Sequence, residues 1–371
     1  MVNLHLLRRL FLKSVGEILY PVFYHRMRDS KRWIIGHRGG RYLMGNSMYL
    51  YVFLHNLDGV KVTFVSRNPS LTKILNDKGY SVVGMFTLAA VFATLRAGYI
   101  AYTHGEEDFL WPLSGGAALI NMWHGTPLKK MQSFKQRSTR YERSVFTIPD
   151  GDTTERHFIE TFDLDSGSVY RTGSPRNEAI TNKNLQNMAN NIQQHCFKEI
   201  ADTEAEILIL FLPTYRYERS FWDSVDLEFV DANLPDGVEI FVKNHTHDDV
   251  FLSKDYENLH QMPRGLDVYS LLHRFDLLIT DYSSVLFDFL HVDRPIILFR
   301  PDDNEYQHER GTYAHIDVMI PADRVESESE LVESILRNLA EDPYAAERSD
   351  IKDQFVSDPS GACSRILNLS S

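Results

Sequence analysis

Eleven apolar runs of four to eight residues alternate with helix-like segments between residues 33 and 300. The first seven are WIIG (33–36), KVTFVS (61–66), SVVGM (81–85), YIAYTH (99–104), ALINMW (118–123), VFTIP (145–149) and VYRTG (169–173). Four more follow: EILILFLP (206–213), VEIFVKNH (238–245), LLIT (277–280) and PIILFR (295–300). Strands that alternate with helices form parallel sheets with helices on both faces, and ligands bind such folds beyond the carboxyl ends of the strands. The 371 residues, 43% hydrophobic, suffice for two such domains, each with its own core. Just after residue 180 the chain turns polar and helical (NKNLQNMANNIQQHCFKEIADTEAE), as a bridge between domains does. The expected division is a segment 1–29, an α/β domain over 30–180 and a second over 181–371.

Net charge is −12 but uneven: residues 1–41 hold nine Lys/Arg against two Asp/Glu, so the other 330 residues carry −19. So acidic a body argues against a nucleic-acid binder. Within the basic segment Leu4, Leu7, Phe11, Val15 and Ile18 recur at helical spacing, with Arg9 and Lys13 on the other side. Charge interrupts this helix too often for a bilayer span, and no small-residue cleavage site marks a signal peptide. It reads as an amphipathic helix on an anionic membrane surface, where each nearby cation contributes about 1 kcal/mol. The alternative is a helix packed on the acidic body. MFTLAAVFATLRAGYIAY (85–102) is interrupted by Arg96 and Gly98, which predicts a helix ending near Gly98 and then a strand, not a transmembrane span. The two cysteines, Cys196 and Cys363, lie far apart without metal-ligand spacing, as in a reducing compartment.

Five strand ends carry chemistry: His124-Gly125-Thr126-Pro127, Gly173-Ser174-Pro175-Arg176, Pro213-Thr214-Tyr215-Arg216, Asn244-His245-Thr246-His247 and Asp281-Tyr282-Ser283-Ser284. Turns alone do not need His and Arg. In TDYSSVLFDFL, Val285, Leu286, Phe289 and Leu290 fit a helix whose amino end is Ser283-Ser284. Such an end binds phosphate through free N–H groups and the macrodipole, though simple N-capping also favours Ser and Asp there. His245 and His247 have no third metal ligand at suitable spacing, so no metal site is expected. His124 ends a strand behind Trp123. An imidazole facing a cleft there takes a proton from an alcohol near neutral pH, and Gly125 permits close approach. The alternative is a histidine at the core edge, with Lys129 and Lys130 on a solvated turn.

Together MWHGTPLKK, GSPRNE, LPTYR, VKNH and ITDYSSVLFDFLHVDRPIILFRPD…RGTY resemble the CDP-glycerol glycerophosphotransferase family, which builds teichoic acids and related polyol-phosphate capsule polymers. GNSMYLYVFL resembles the helix after that family's first strand. The resemblance implies a GT-B fold: two Rossmann-like domains facing a cleft, here with an N-terminal amphipathic helix. It implies transfer of glycerol phosphate from CDP-glycerol to a hydroxyl of a lipid-linked saccharide or growing polymer, releasing CMP, at the cytoplasmic face of the cell membrane. It implies His124 as base and His245 (or His247) beside the donor phosphates. Ser283, Ser284, Asp281, Arg216, Thr214, Arg176 and Asp288 fall at donor-binding positions. Gly125, Lys129, Lys130 and Gly39, in the basic loop GHRGGR, would meet an anionic acceptor. No cofactor is required, although Mg2+ is compatible. CDP-ribitol as donor, a nucleotide-sugar glycosyltransferase or epimerase of the same fold, and a binding protein without activity are the alternatives.

Overall fold

The computed structural model describes residues 22–23, 28–131, 144–193, 203, 205–216, 220–244, 255–356 and 358–369. Its first sheet contains β1 (Asp29–Ile35), β2 (Lys61–Ser66), β3 (Val82–Gly84), β4 (Ala97–Tyr102), β5 (Ala118–Asn121), β6 (Ser144–Thr147) and β7 (Val169–Tyr170). Its second contains β8 (Ile207–Leu212), β9 (Val238–Val242), β10 (Leu259–Gln261), β11 (Leu277–Thr280), β12 (Ile296–Phe299) and β13 (Asp323–Val325). The strand orders are β3-β2-β1-β4-β5-β6-β7 and β10-β9-β8-β11-β12-β13, and every pairing is parallel. These are the two parallel α/β domains that the alternating pattern predicts, in the Rossmann-like form that the resemblance implies.

The centres of both sheets are dry. Ile34, Ile35, Ile100 and Ala101 are buried in the first, and Ile209, Leu210, Leu277 and Leu278 in the second. Helices cover both faces, so the strands read as continuous apolar runs rather than alternating ones. The chain order reverses direction across each sheet between β1 and β4, and again between β8 and β11. The loops leaving those strands diverge and open a crevice. Those after β1 and β4 face those after β8 and β11, and this positions the site.

The domains share their last elements. Helix Lys183–Gln193 gives Leu185, Ala189 and Ile192 to the first core, and the last helix, Ala362–Asn368, gives it Cys363 and Ile366. Phe355 and Val356, at the end of helix Ala345–Val356, belong to the second core. The expected division puts all three helices in 181–371, whereas two of them carry their apolar faces back to the first sheet. The helix expected before Gly98 is Leu88–Arg96. Among the described residues no helix is long and apolar enough to cross a membrane. Nearly all of the basic segment 1–29 lies outside the described residues, as does Cys196.

Candidate active site

A cleft of about 570 Å3 lies between the domains. Among the described residues, Arg38, Lys129, Arg176, Lys243 and Arg310 line it with His37, His104 and His124, against a single carboxylate, Asp267. In a chain of net charge −12 this concentration of cations marks a site for anions.

The N-terminal wall is built by the loops after β1, β4 and β5. Asp108 accepts N–H bonds from Gly39 (2.7 Å), Thr103 (3.1 Å) and His104 (2.9 Å), which ties the first two loops together. Burial pushes the Asp108 carboxyl up to about 6 despite those bonds. Arg38 and Gly39 take left-handed backbone, with φ of 42° and 61°. Gly39 does not line the cleft, but its neighbours His37 and Arg38 do.

Thr103 contacts three histidines. Its hydroxyl lies 2.8 Å from Nδ1 of His37 and 2.8 Å from Nδ1 of His104, while its carbonyl lies 3.1 Å from Nδ1 of His124. A carbonyl only accepts, so Nδ1 of His124 carries the proton and Nε2 of the neutral ring keeps its lone pair. The His124 ring stacks on His104 at 4.2 Å and 3°, and tilts against Trp123 at 4.3 Å. It opens on the cleft with protein around its other sides. That desolvation, with repulsion from Arg176, Arg38 and Lys129, lowers it to about 4 against the Thr103 carbonyl, so it is neutral at pH 7.

Gly125 has φ of 147°, and a Cβ there would fall 2.1 Å from Oγ of Ser284 and 2.7 Å from its Cβ. Only glycine lets the two walls meet at this point. The loop then crosses to the second domain. Tyr313 N–H donates to the Leu128 carbonyl (2.9 Å) and Lys130 N–H to the Gly311 carbonyl (3.1 Å), around a bridge between Lys129 and Thr312. Desolvation lowers the Lys129 ammonium to about 8, with Asp281 opposing and Arg310 and Arg216 adding repulsion. Lys130 is exposed and does not line the cleft.

The C-terminal wall presents Thr214, Lys243, Asn244, Ser283 and Ser284. Behind it, Arg216 binds Asp302 through Nε (2.7 Å) and Nη2 (2.9 Å) and Asp281 through Nη1 (2.9 Å), with its guanidinium over the Tyr306 ring at 4.6 Å. Asp281 also accepts the Thr214 N–H at 2.9 Å. Arg216 and Asp281 therefore hold the strand-end loops rather than face the cleft. Arg176 does line it, with Nε bound 2.9 Å from Asp288 and the guanidinium over the Tyr269 ring at 4.9 Å. Asp288 is buried behind it, outside the cleft lining, and orients Arg176 across the domain seam. Ser283 and Ser284 lie where expected, but the helix after them, Val285–Phe289, has only five residues. A helix that short has a weak macrodipole, so anion binding there falls to N–H groups, hydroxyls and the cations opposite. His245 and His247 lie outside the described residues; Lys243 and Asn244 just before them line the cleft. No cluster of three potential metal ligands occurs among the described residues.

The strand-end rule also applies to His37, Arg38, Thr103 and His104, which sequence reading missed. YIAYTH reads as one run, but β4 ends at Tyr102, leaving Thr103 and His104 at the switch point.

Relatives include the teichoic acid poly(glycerol phosphate) polymerase of Bacillus subtilis (strain 168), 24% identical over 80% of this chain. The teichoic acid glycerol-phosphate transferase of Staphylococcus aureus (strain NCTC 8325 / PS 47) is 26% identical over 68% of it. The chain spans 42% of the length of the first relative and 70% of the second. A wall teichoic acid polymerase TagF variant soaked with CDPG shares the fold, with a TM-score of 0.77 and 20% identity over 97% of this chain and 93% of that one. The family model described as CDP-glycerol:poly(glycerophosphate) glycerophosphotransferase matches residues 18–369, and the chain belongs to that family.

Proposed function

We propose that this chain transfers glycerol phosphate from CDP-glycerol to a hydroxyl of a lipid-linked saccharide or growing polyol-phosphate chain, releasing CMP, in teichoic acid or capsule-type polymer synthesis. The observation that carries this reading is the meeting of a neutral histidine, Nε2 free, with two serines across Gly125 in a cationic cleft. Family membership and relatives that act in teichoic acid synthesis support the donor class.

In this scheme the donor lies on the C-terminal wall, its phosphates against Ser283, Ser284, Thr214 and Lys243. The acceptor enters along the wall of His37 and Arg38. Nε2 of His124 takes the proton as the acceptor oxygen bonds to the β-phosphorus, and the bond from that phosphorus to the bridging oxygen breaks. CMP leaves with the electron pair. Lys129, Arg176 and Arg310 face the developing charge, and pre-placed donors of this kind contribute a few kcal/mol each. The protein works as a peripheral protein at the cytoplasmic face of the membrane, held there by its basic amino end.

The test has two parts. Melting temperature is measured with CDP-glycerol, CDP-ribitol and a UDP-sugar, because a ligand that binds only the folded state must raise it. CMP release and product mass are then read with a lipid-linked disaccharide analogue. CDP-glycerol is expected to stabilise most and to add one or more glycerol phosphates. Stabilisation by the UDP-sugar alone, without CMP release, overturns the reading.

A further inference from the structure

We propose that His104 is a positioning residue for His124, holding the proposed base flat and in one tautomer through the shared anchor Thr103. This rests on His124 being the base. Three observations support it. The two imidazoles lie parallel, 3° apart, with centroids at 4.2 Å. Nδ1 of His104 lies 2.8 Å from the Thr103 hydroxyl, and its backbone N–H is held by Asp108 at 2.9 Å, so this residue is held at both its ring and its backbone. The same Thr103 hydroxyl lies 2.8 Å from His37 Nδ1, and His37 packs edge-on against His104 at 5.0 Å.

A hydroxyl has one proton, so Thr103 donates to one of these two imidazoles and accepts from the other. The Thr103 carbonyl meanwhile accepts from His124. One residue thus orders three rings. Among the described residues one hydrogen bond, to the Thr103 carbonyl, holds the His124 ring, and a histidine χ2 is broad and two-fold. A hydrogen bond alone leaves the ring free to swing about it; a flat neighbour at stacking distance fixes the plane.

The ionisable groups around His124 are His104 and Asp108 from the loop after β4, His37 and Arg38 from the loop after β1, Lys129 from its own loop, and Arg176 from helix Pro175–Thr181. Of these, His104 is the one whose ring stacks flat on His124. Removing His104 admits water there and moves His124 toward its ordinary range.

The experiment uses the full chain as His104→Ala and His104→Phe. In His104→Ala, kcat should fall by roughly 10- to 100-fold, the scale set by a misplacement of about 1 Å, with the CDP-glycerol KM within about threefold. The acid limb of its kcat/KM profile should move up toward pH 6.5. His104→Phe restores a flat face and should recover most of kcat. Imidazole 15N NMR without substrate should show His124 as the Nδ1–H tautomer in the native chain and a mixture of tautomers in His104→Ala. An unmoved acid limb, an unchanged tautomer, or no recovery with Phe overturns the proposal. The NMR readout stands even if CDP-glycerol proves the wrong donor. If His104→Ala does not fold, Thr103→Val removes the hydroxyl anchor but keeps the carbonyl. It should give an intermediate loss of kcat with the same tautomer shift, and native behaviour overturns the proposal.

Discussion

On the N-terminal wall of the cleft, burial holds His37 at about 3, while desolvation among the protein groups around it and repulsion from Arg176, Arg38 and Lys129 hold the cleft-facing His124 at about 4, so both are neutral at pH 7. On the C-terminal wall, Arg216 is charged and bound by Asp302 and Asp281, and Arg300 by Asp317 at 2.7 Å. Both walls are strand-end loops of parallel sheets, but they treat charge in opposite ways. One strips its histidines of charge and leaves a lone pair facing the cleft. The other keeps Arg216 and Arg300 charged by committing their N–H groups to carboxylates, then presents hydroxyls, the Asn244 amide and Lys243 to the cleft. A charged residue in a motif is thus open to the cleft only where its partners leave it on the lining, as they do for Arg176 and not for Arg216.

The comparison breaks first at His124. His124→Ala removes the proposed base and should lower CMP turnover by roughly 10²–10⁴-fold, measured by steady-state CMP release. Turnover within a few-fold of native would give the N-terminal wall no chemical role. Gly125→Ala forces the walls apart, since its Cβ would fall 2.1 Å from Ser284 Oγ. The loss should be on the order of 10²-fold in kcat, the scale of a 1 Å displacement. Adding Ser284→Gly should recover part of it by removing the atoms that overlap. A single variant with native kcat would mean that the walls do not need to touch.

Arg216→Ala sharpens the other side. Its side chain is 4% exposed, and stranding two buried carboxylates should cost about 3–5 kcal/mol of stability. Urea unfolding should report that loss, while the CDP-glycerol KM of the folded fraction changes little. A large KM change at native stability would make Arg216 a donor contact after all. The smallest effect is the pH profile. His124 must be neutral to act, so activity falls as pH drops through about 4; Lys129 must be charged to hold phosphate, so binding weakens as pH rises through about 8. A profile with no alkaline limb would remove Lys129 from the anion site.

Strands at the sheet centres were legible in the sequence because burial on both faces makes them unbroken apolar runs. Strands β10 and β13 were not, because they are three-residue edge strands holding His260, Gln261 and Arg324. ALINMW reads as strand through Trp123, yet β5 stops at Asn121 and Trp123 turns to φ of 47°, which aims His124 into the cleft. His124, Gly125, Ser283 and Ser284 could be found from strand ends and motif, and all four line the cleft. What Arg216, Asp281 and Asp288 do could not, because pairing decides it and the partners are distant: Arg216 and Asp302 are 86 residues apart, and Arg176 and Asp288 are 112. His104 was hidden inside an apolar run, and its stacking on His124 exists only once β4 and β5 lie side by side.

The division of labour between the walls is tested most directly by calorimetric titration of CDP-glycerol into two variants, His124→Ala and the pair Ser283→Ala with Ser284→Ala. The account predicts a Kd within about threefold of native for the first and at least roughly tenfold weaker for the second, the loss of about 1.4 kcal/mol of donor contacts. Weak binding by His124→Ala beside native binding by the serine pair would contradict it.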